Sequence, residues 1–146
     1  MKYELTDETN GSGLRRIRAL RDIPRYGVEE GDLGGWVESD GNLTQEGDCW
    51  VFDDAQVFGN TQVFGNAMVF DNAMVFDNAR VFDNARVSDT ALIYGDARVF
   101  DDAQVFGNAM VGGNAMVFGK ARVGDNLRVG GNARVFDAAV CGGVAS

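Results

Sequence analysis

The feature that most constrains this chain is a six-residue period that runs from Val51 to the end of the sequence. The stretch from Val75 to Arg86 reads VFDNARVFDNAR. We number the positions of each hexamer one to six, with the valine of VFDNAR at position one. Position one is almost always Val, position five is almost always Ala, position three is Asp or Gly, and position four is mostly Asn. Every arginine of the hexamers is at position six.

This period predicts a short strand followed by a corner. Side chains alternate across a strand, so Val and Ala at positions one and five face inward, while Arg and Phe at positions six and two face outward. Positions three and four carry Asp, Gly and Asn, which tolerate the left-handed backbone of turns. A helix is excluded because residues six apart spiral around a helix of 3.6 residues per turn. The period therefore predicts a coil of parallel strands stacked on itself.

Some of the hexamers resemble a known family. VGDNLR at Val123 and VGGNAR at Val129 are similar to the repeats of the hexapeptide-repeat proteins, which form left-handed parallel β-helices. VFDNAR departs from that pattern at position two, where Phe replaces a small residue, and resembles a Phe- and Tyr-rich group of largely uncharacterised bacterial and phage repeat proteins. The stretch GDLGGWVESDGNLTQEGDCWVF, from Gly31, resembles the segment that precedes the repeats in that group. The resemblance implies an all-β fold, a left-handed parallel β-helix that is triangular in section, with three hexamers and hence eighteen residues per coil.

The frame of the hexamers predicts two regions. Read backwards without an insertion, it puts Val37, Leu43 and Cys49 at position five, so we expect the β-helix to occupy residues 33–146. Residues 1–32 differ in composition and hold all the basic residues outside the hexamers. Because an open β-helix end exposes unpaired backbone, we interpret this segment as an N-terminal β cap made of two extended segments. A short helix from Leu14 to Ile23 is the alternative.

Charge and composition exclude several functions. The net charge is −9, so the chain does not gain from counterion release and is not expected to bind nucleic acid directly. Many hexapeptide-repeat proteins are acyltransferases and others are carbonic anhydrases. Both use histidine as a base or metal ligand, and this chain has none. We therefore expect no enzyme activity and no cofactor. No apolar run suits a signal peptide or a membrane span, which favours the cytoplasm of a bacterium or of a phage-infected cell.

Two sets of side chains are candidate sites for metals or thiol chemistry. Asp53, Asp71 and Asp89 are eighteen residues apart and are expected to stack along one corner, about 5 Å from one another. Turn geometry explains these aspartates, and a bound cation such as Ca²⁺, which prefers oxygen ligands, is the alternative. Cys49 and Cys141 are both inward in this frame but several coils apart, so we expect two buried free thiols.

Residues eighteen apart share a face, which defines three outer surfaces. The third surface carries an uncharged apolar patch, and patches of this kind are typical of interfaces. We expect it to join the subunits of a homodimer or homotrimer, through these residues: Phe58, Met74, Phe76, Leu92, Tyr94 and Met110. The first surface is the alternative interface, and it carries arginines beside a row of phenylalanines: Phe64, Phe82, Phe100, Phe118 and Phe136. The second surface begins with Trp50 and Phe52.

Three functions are compatible with these features. The leading hypothesis is a non-catalytic structural or protein-binding β-solenoid that self-associates through a side face. The alternative is a phage-type inhibitor of a host defence protein, an acidic mimic of nucleic acid whose partner is a host protein. A degenerate acyltransferase-like protein is the third, and it requires a pocket of convergent polar groups between subunits.

Overall fold

The chain folds as an all-β parallel solenoid of about 6 coils with 18 residues per coil, which confirms the predicted fold class. The computed structural model describes residues 1–136, 139–141 and 144–145, and the side chains of residues 1–136. The first strands are β1 (Tyr3–Thr9), β2 (Arg15–Ala19) and β3 (Leu33–Val37), and short 3₁₀ turns lie at Pro24–Tyr26 and Asp40–Asn42. The strands that follow are β4 Trp50–Val51, β5 Gln56–Val57, β6 Gln62–Val63, β7 Met68–Val69, β8 Met74–Val75, β9 Arg80–Val81, β10 Arg86–Val87, β11 Leu92–Ile93, β12 Arg98–Val99, β13 Gln104–Val105, β14 Met110–Val111, β15 Met116–Phe118, β16 Arg122–Gly124, β17 Arg128–Val129, β18 Arg134–Phe136, β19 Ala139–Cys141 and β20 Val144–Ala145.

Each regular hexamer contributes one short strand at positions six and one. The strand pairs in parallel with the strand one coil away, as Leu92 does with Met110. The corner that follows needs a positive φ at position three, which Asp71 adopts with φ 58° and glycine adopts elsewhere. The N–H of position five closes this corner on the carbonyl of position two, as Ala85 does on Phe82 at 3.3 Å. Position three is restricted to Asp or Gly because both residue types tolerate this positive φ.

The core is a stack of small side chains inside the coil. Val81 and Ala79 are fully buried, and the same holds for almost every position one and position five between residues 51 and 129. Arg80, between these two residues, is exposed. The inside and outside positions of the hexamer are therefore as predicted. A narrow interior explains the preference for Val and Ala, because a larger side chain at every coil would not fit a close-packed core.

The described strands form three sheets, one for each face of the coil. The nine-stranded sheet has the order β1-β2-β3-β5-β8-β11-β14-β17-β20, the six-stranded sheet β19-β16-β13-β10-β7-β4, and the five-stranded sheet β18-β15-β12-β9-β6. The third surface is the outer side of the nine-stranded sheet, the second that of the six-stranded sheet, and the first that of the five-stranded sheet. The third surface therefore lies on the sheet that the N-terminal strands extend.

The predicted frame is wrong at two faces of the first coil. Val37 pairs with Val57, and Leu43 bridges to Val63, so both occupy position one and lie twenty residues from their partners. Trp50 pairs with Met68, so the residue before it, Cys49, is at position five as predicted. The two additional residues lie in the corner between Thr44 and Gly47, which widens there. A hydrophobic frame cannot reveal such an insertion when both alternative positions face inward.

The predicted frame is also wrong at the last strands. Gly124 pairs with Cys141, seventeen residues away, and Arg128 pairs with Val144, sixteen residues away. Cys141 thus lies opposite a position-two residue instead of position one, and its side chain falls outside the described residues. The hexamer VFDAAV has lost the position-four asparagine, whose amide links neighbouring coils in the regular repeats, so less in its sequence fixes the register.

The N-terminal segment forms an antiparallel hairpin that continues the nine-stranded sheet. Strand β2 pairs with β1 on one side and with β3 on the other, both antiparallel. The alternative of a helix from Leu14 to Ile23 is wrong, because Arg15–Ala19 is a strand. Ile17 of β2 is fully buried against the first coil, which explains why an apolar residue every second position outweighed helix propensity here.

Candidate interface surfaces and the capped end

The third surface brings all six predicted interface residues together in two parallel rows. In the position-six row, Leu92 pairs with Met74 on one side and with Met110 on the other. In the position-two row, the ring of Phe76 stacks on Phe58 with centroids 5.4 Å apart and on Tyr94 with centroids 5.6 Å apart. The residues of both rows are half-buried, because neighbours in each row shield one another. The result is a continuous apolar band that spans four coils.

Glycine ends the aromatic row of the third surface. A Cβ atom on Gly112 would lie 2.3 Å from the Tyr94 ring, so this ring rests directly on the backbone of Gly112. The other row ends at Arg128, which pairs with Met110 and is exposed. No outward position of the third surface from Gln56 to Gly112 carries a charge. The band is therefore bounded along the solenoid axis and uncharged within its bounds.

The turn of the N-terminal hairpin borders the third surface at its N-terminal end. A cleft of about 300 Å³ separates this turn from the band, and its lining is Ser12, Gly13, Leu14, Glu38, Gln56, Phe58 and Met74. The Glu38 carboxylate accepts a hydrogen bond from the Gly59 N–H at 2.8 Å, which holds it at the corner. The apolar band thus continues into a recess beside the cap.

The first surface brings together the alternative interface residues as an unbroken ring stack. The distances between successive ring centroids are 4.7, 4.9, 5.2 and 5.3 Å along Phe64, Phe82, Phe100, Phe118 and Phe136. Arg80, Arg98 and Arg134 lie beside these rings and are exposed. Near-parallel stacking at the coil spacing gives this ladder a structural role, because each ring covers its neighbours.

The cap covers the start of the second surface, and Trp50 is accordingly buried, contrary to its predicted outward position. The Tyr3 ring packs edge-on against Trp50 with centroids 6.2 Å apart, and Trp50 is only 1% exposed. The Tyr26 ring packs edge-on against Phe52 at 6.1 Å, and its hydroxyl donates to the carbonyl of Asn66. The hexamer pattern could not predict this, because it describes the coil without its cap.

The aspartate row is brought together along one corner, where each carboxylate has a backbone partner. Asp53 Oδ2 accepts the Asp71 N–H at 3.2 Å, Asp71 Oδ2 accepts the Asp89 N–H at 3.2 Å, and Asp89 Oδ2 accepts the Gly107 N–H at 2.8 Å. The position-three N–H points toward the preceding coil and meets no backbone carbonyl there, so the carboxylate satisfies it. Among the described residues, no three acidic or cysteine side chains group as metal ligands. Calcium binding by this row stays a prediction.

Sequence reasoning missed the way side chains close the N-terminal end of the solenoid. Lys2 is 1% exposed, and its Nζ donates to the carbonyl of Cys49 at 2.7 Å and to those of Glu46 and Gly47 at 3.4 Å. The Tyr3 hydroxyl donates to the carbonyl of Leu43. These carbonyls face the side where a preceding coil would supply N–H groups. Nothing in the stretch KYEL distinguishes a buried lysine from a solvated one.

The widened corner of the first coil serves the cap. Gln45 Oε1 accepts the backbone N–H groups of Lys2 at 2.8 Å and Tyr3 at 3.1 Å, and Gln45 Nε2 donates to the Tyr3 carbonyl at 3.2 Å. The side-chain amide therefore binds the outer edge of β1 as a neighbouring strand would. This explains why an otherwise regular coil carries additional residues at this corner.

Burial governs the ionisation of the capping residues. Burial lowers the pKa of Lys2, and the Cys49 sulfur beside it acts in the opposite direction. Burial also raises the pKa of Tyr3 well above its usual range, because the charged phenolate would lose its hydration. The fold therefore keeps the Tyr3 phenol protonated as a hydrogen-bond donor.

Arg16 links the hairpin to the coil on its outer side. Its guanidinium lies 4.2 Å from the centroid of the Trp36 ring and 3.4 Å from the Asp54 carboxylate, and Nη1 donates to the Gly34 carbonyl at 3.0 Å. Cation–π contact, ion pair and hydrogen bond act on a single side chain. Strand β2 is thus held to the first corner of the solenoid as well as to β3.

Comparison with known proteins supports the repeat architecture. Residues 127–143 match a family model described as the YdcK beta solenoid repeat. No curated protein matches the chain. Within the part of the chain that the structure describes, no helix is long and apolar enough to cross a membrane. The comparisons and the fold agree on a β-solenoid repeat protein.

Proposed function

We propose that this chain is a non-catalytic structural or protein-binding β-solenoid that self-associates through its third surface, as a homodimer or homotrimer. The observation that carries the proposal is the uncharged band formed by Met74, Leu92 and Met110 beside the stacked rings of Phe58, Phe76 and Tyr94. Exposed apolar patches that are contiguous and bounded by polar residues are typical of protein interfaces. A chain without histidine is poorly equipped for the acid–base chemistry of related transferases.

The band supplies part of the free energy that a stable contact needs. Burying roughly 400 Å² of it per subunit contributes on the order of 10 kcal/mol at about 25 cal/mol per Å², before the costs of association. Those costs remove a large part of this free energy, so a second element of complementarity has to contribute. The recess lined by Leu14 and Phe58 provides one, because it can receive an apolar side chain from another subunit.

The first surface is a weaker candidate for the same role. Its rings stack without interruption, but burial would also take Arg80, Arg98 and Arg134 out of water. An arginine that loses its hydration without gaining a carboxylate costs several kcal/mol. The third surface has no such cost between Gln56 and Gly112, since no charged side chain lies within it.

Light scattering on Leu92→Arg tests the proposal. Leu92 lies in the middle of the position-six row, and its replacement leaves the buried Ile93 beside it unchanged. We expect the parent to have the mass of a dimer or trimer and the variant to be a folded monomer. A variant with the mass of the parent would place the interface elsewhere, and a monomeric parent would remove self-association from the proposal.

The acidic inhibitor is the alternative function, with a host protein as its partner. The net charge of −9 supports it. The aspartate row weakens the hypothesis of a nucleic-acid mimic. The carboxylates of Asp53, Asp71 and Asp89 already bind backbone N–H groups of the next coil, and the coil repeat explains their spacing. A pull-down from bacterial lysate with a monomeric Leu92→Arg variant distinguishes the two functions, since an inhibitor would still capture its target.

A further inference from the structure

The contact between Lys2 and Cys49 has a second feature besides hydrogen bonding to carbonyls. The Lys2 Nζ lies 3.2 Å from the Cys49 Sγ, and both side chains are buried. The Thr44 hydroxyl lies 3.4 Å from the same sulfur. An amine and a thiol are thus held in contact within a closed space at the N-terminal end of the solenoid.

Each group brings one of the two atoms that a covalent link needs. The sulfur of Cys49 is the atom that a peroxide oxidises. A lysine that is taken out of water gives up its proton more readily and becomes a nucleophile. The contact distance means that neither side chain has to move far for nitrogen and sulfur to bond.

We propose that Lys2 and Cys49 form an oxidisable pair, which a peroxide converts into a covalent bond between Nζ and Sγ that fastens the cap to the first coil. This inference is independent of self-association, because neither residue lies on the third surface. The link joins strand β1, the outermost strand of the nine-stranded sheet, to the corner that β4 follows.

The reaction proceeds in two balanced steps. The Cys49 thiolate attacks one oxygen of hydrogen peroxide, the O–O bond breaks, and the departing hydroxide takes a proton from the Lys2 ammonium to give water and a sulfenic acid. The neutral Lys2 amine then attacks the sulfenic sulfur, an S–N bond forms, and the S–O bond breaks. The departing hydroxide takes one of the two N–H protons to give a second water, and the other proton stays on nitrogen. Cysteine and lysine together lose two hydrogens, and peroxide is reduced to water.

The route for peroxide follows from the topology. Strand β1 lies at the edge of its sheet. On its outer side, the side chain of Gln45 binds the N–H groups of Lys2 and Tyr3 and the Tyr3 carbonyl, while the Lys2 carbonyl accepts the Leu20 N–H at 2.7 Å. Edge strands held by few hydrogen bonds open more readily than central ones. Opening admits the oxidant, and closing returns the amine to the sulfenic acid before further oxidation.

Mass spectrometry on a Cys141→Ser background tests the inference, since this background excludes a disulfide between the two cysteines. After treatment with hydrogen peroxide, we expect an intact mass about 2 Da below that of the untreated protein. Peptide mapping is expected to show Lys2 joined to the peptide that contains Cys49. A thiol reductant should restore the original mass, and oxidised protein should unfold at a higher temperature than reduced protein, because the link constrains the unfolded chain.

Two variants serve as controls. Lys2→Arg keeps the positive charge and the carbonyl contacts but removes the primary amine, and Cys49→Ser removes the sulfur, so neither should lose 2 Da. Unlinked Lys2 with sulfinic or sulfonic acid at Cys49 would overturn the inference. So would an unchanged mass after peroxide treatment that fully oxidises an added thiol. Both readouts are made on the Cys141→Ser protein with Lys2 and Cys49 intact, so they remain decisive even where a control variant does not fold.

Discussion

The Nζ of Lys2 lies 2.7 Å from the carbonyl oxygen of Cys49, where a preceding coil would otherwise supply a backbone N–H. In the regular coils, the same carbonyl position accepts such an N–H, as the carbonyl of Ala67 does from Trp50 at 3.1 Å. A solenoid end exposes a row of such acceptors, and exposed strand edges promote aggregation. Side-chain donors from the cap satisfy these acceptors, so capping depends on a few specific residues.

Tyr3→Phe tests the capping hydrogen bond. The variant keeps the ring contact with Trp50 but leaves the buried carbonyl of Leu43 without its donor. We expect a loss of about 1–3 kcal/mol in the free energy of unfolding at neutral pH, measured by urea denaturation. A variant as stable as the parent would show that the hydroxyl does not stabilise the cap.

The same pair of proteins predicts a pH dependence. Because burial raises the pKa of Tyr3, its stabilising effect is fully present below about pH 10, where the phenol is protonated in both states. Above that pH the unfolded chain loses the proton and the folded chain keeps it, so the parent loses about 1.4 kcal/mol per pH unit. Tyr3→Phe lacks this effect, and the Lys2 amine contributes to both proteins. The stability difference between them should therefore shrink above pH 10, whereas a constant difference contradicts the buried phenol.

Deleting residues 1–30 tests the cap as a whole. The deletion removes β1, β2 and the 3₁₀ turn that carries Tyr26, and it exposes the edge of β3 together with Trp50. We expect aggregation or fibre growth, measured by light scattering and electron microscopy, because the exposed edge can pair with another chain. A deletion protein that stays in solution at the parent's oligomeric mass would contradict the capping role.

Val81→Asp tests the inward register of the hexamer. Val81 is fully buried between Val63 and Val99, so an aspartate there has no water and no partner. We expect a loss of about 3–5 kcal/mol in the free energy of unfolding, measured by urea denaturation. Arg80→Gln, at the neighbouring exposed position, is the control and should change stability by less than about 0.5 kcal/mol. Equal effects at both positions would mean that the inside and outside assignments are wrong.

Substitutions of Asp71 separate the two explanations of the aspartate row. Asp71→Ala removes the acceptor for the Asp89 N–H and puts alanine at φ 58°, so we expect a loss of about 2 kcal/mol. Asp71→Asn keeps an acceptor and tolerates the positive φ, so it should be nearly neutral. Thermal unfolding with and without Ca²⁺ completes the test. A Ca²⁺-dependent increase in melting temperature that is lost in Asp71→Asn would show that the row is a cation site.

The repeat itself could be predicted from the sequence because each hexamer repeats the same local rule. Valine at position one and arginine at position six fix which side of the strand is buried, and neighbouring hexamers agree. The three surfaces follow from the coil length, so the sequence predicts both the band around Leu92 and the ring stack around Phe82. The backbone hydrogen bonds between successive regular coils follow one pattern. Residues outside the repeat therefore have little effect on the structure of these coils.

The irregular parts could not be predicted for the opposite reason. The insertion at Gln45 is invisible in the frame because Leu43 is inward in either register. The burial of Lys2 and Trp50 depends on contacts between residues more than forty positions apart, for which the sequence holds no periodic pattern. Likewise, the shift at Cys141 occurs in the hexamer after VFDAAV, whose sequence lacks the position-four asparagine.

The most direct test of the central claim compares two equivalent methionines on different surfaces. Met110 and Met116 are both half-buried position-six residues, one hexamer apart, but Met110 lies on the third surface and Met116 on the first. Sedimentation equilibrium of Met110→Arg and Met116→Arg measures self-association under identical conditions. We predict that Met110→Arg weakens association at least about 100-fold, since it buries an unpaired charge, and that Met116→Arg associates like the parent. If Met116→Arg dissociates instead and Met110→Arg does not, the first surface is the interface and the proposal for the third surface is wrong.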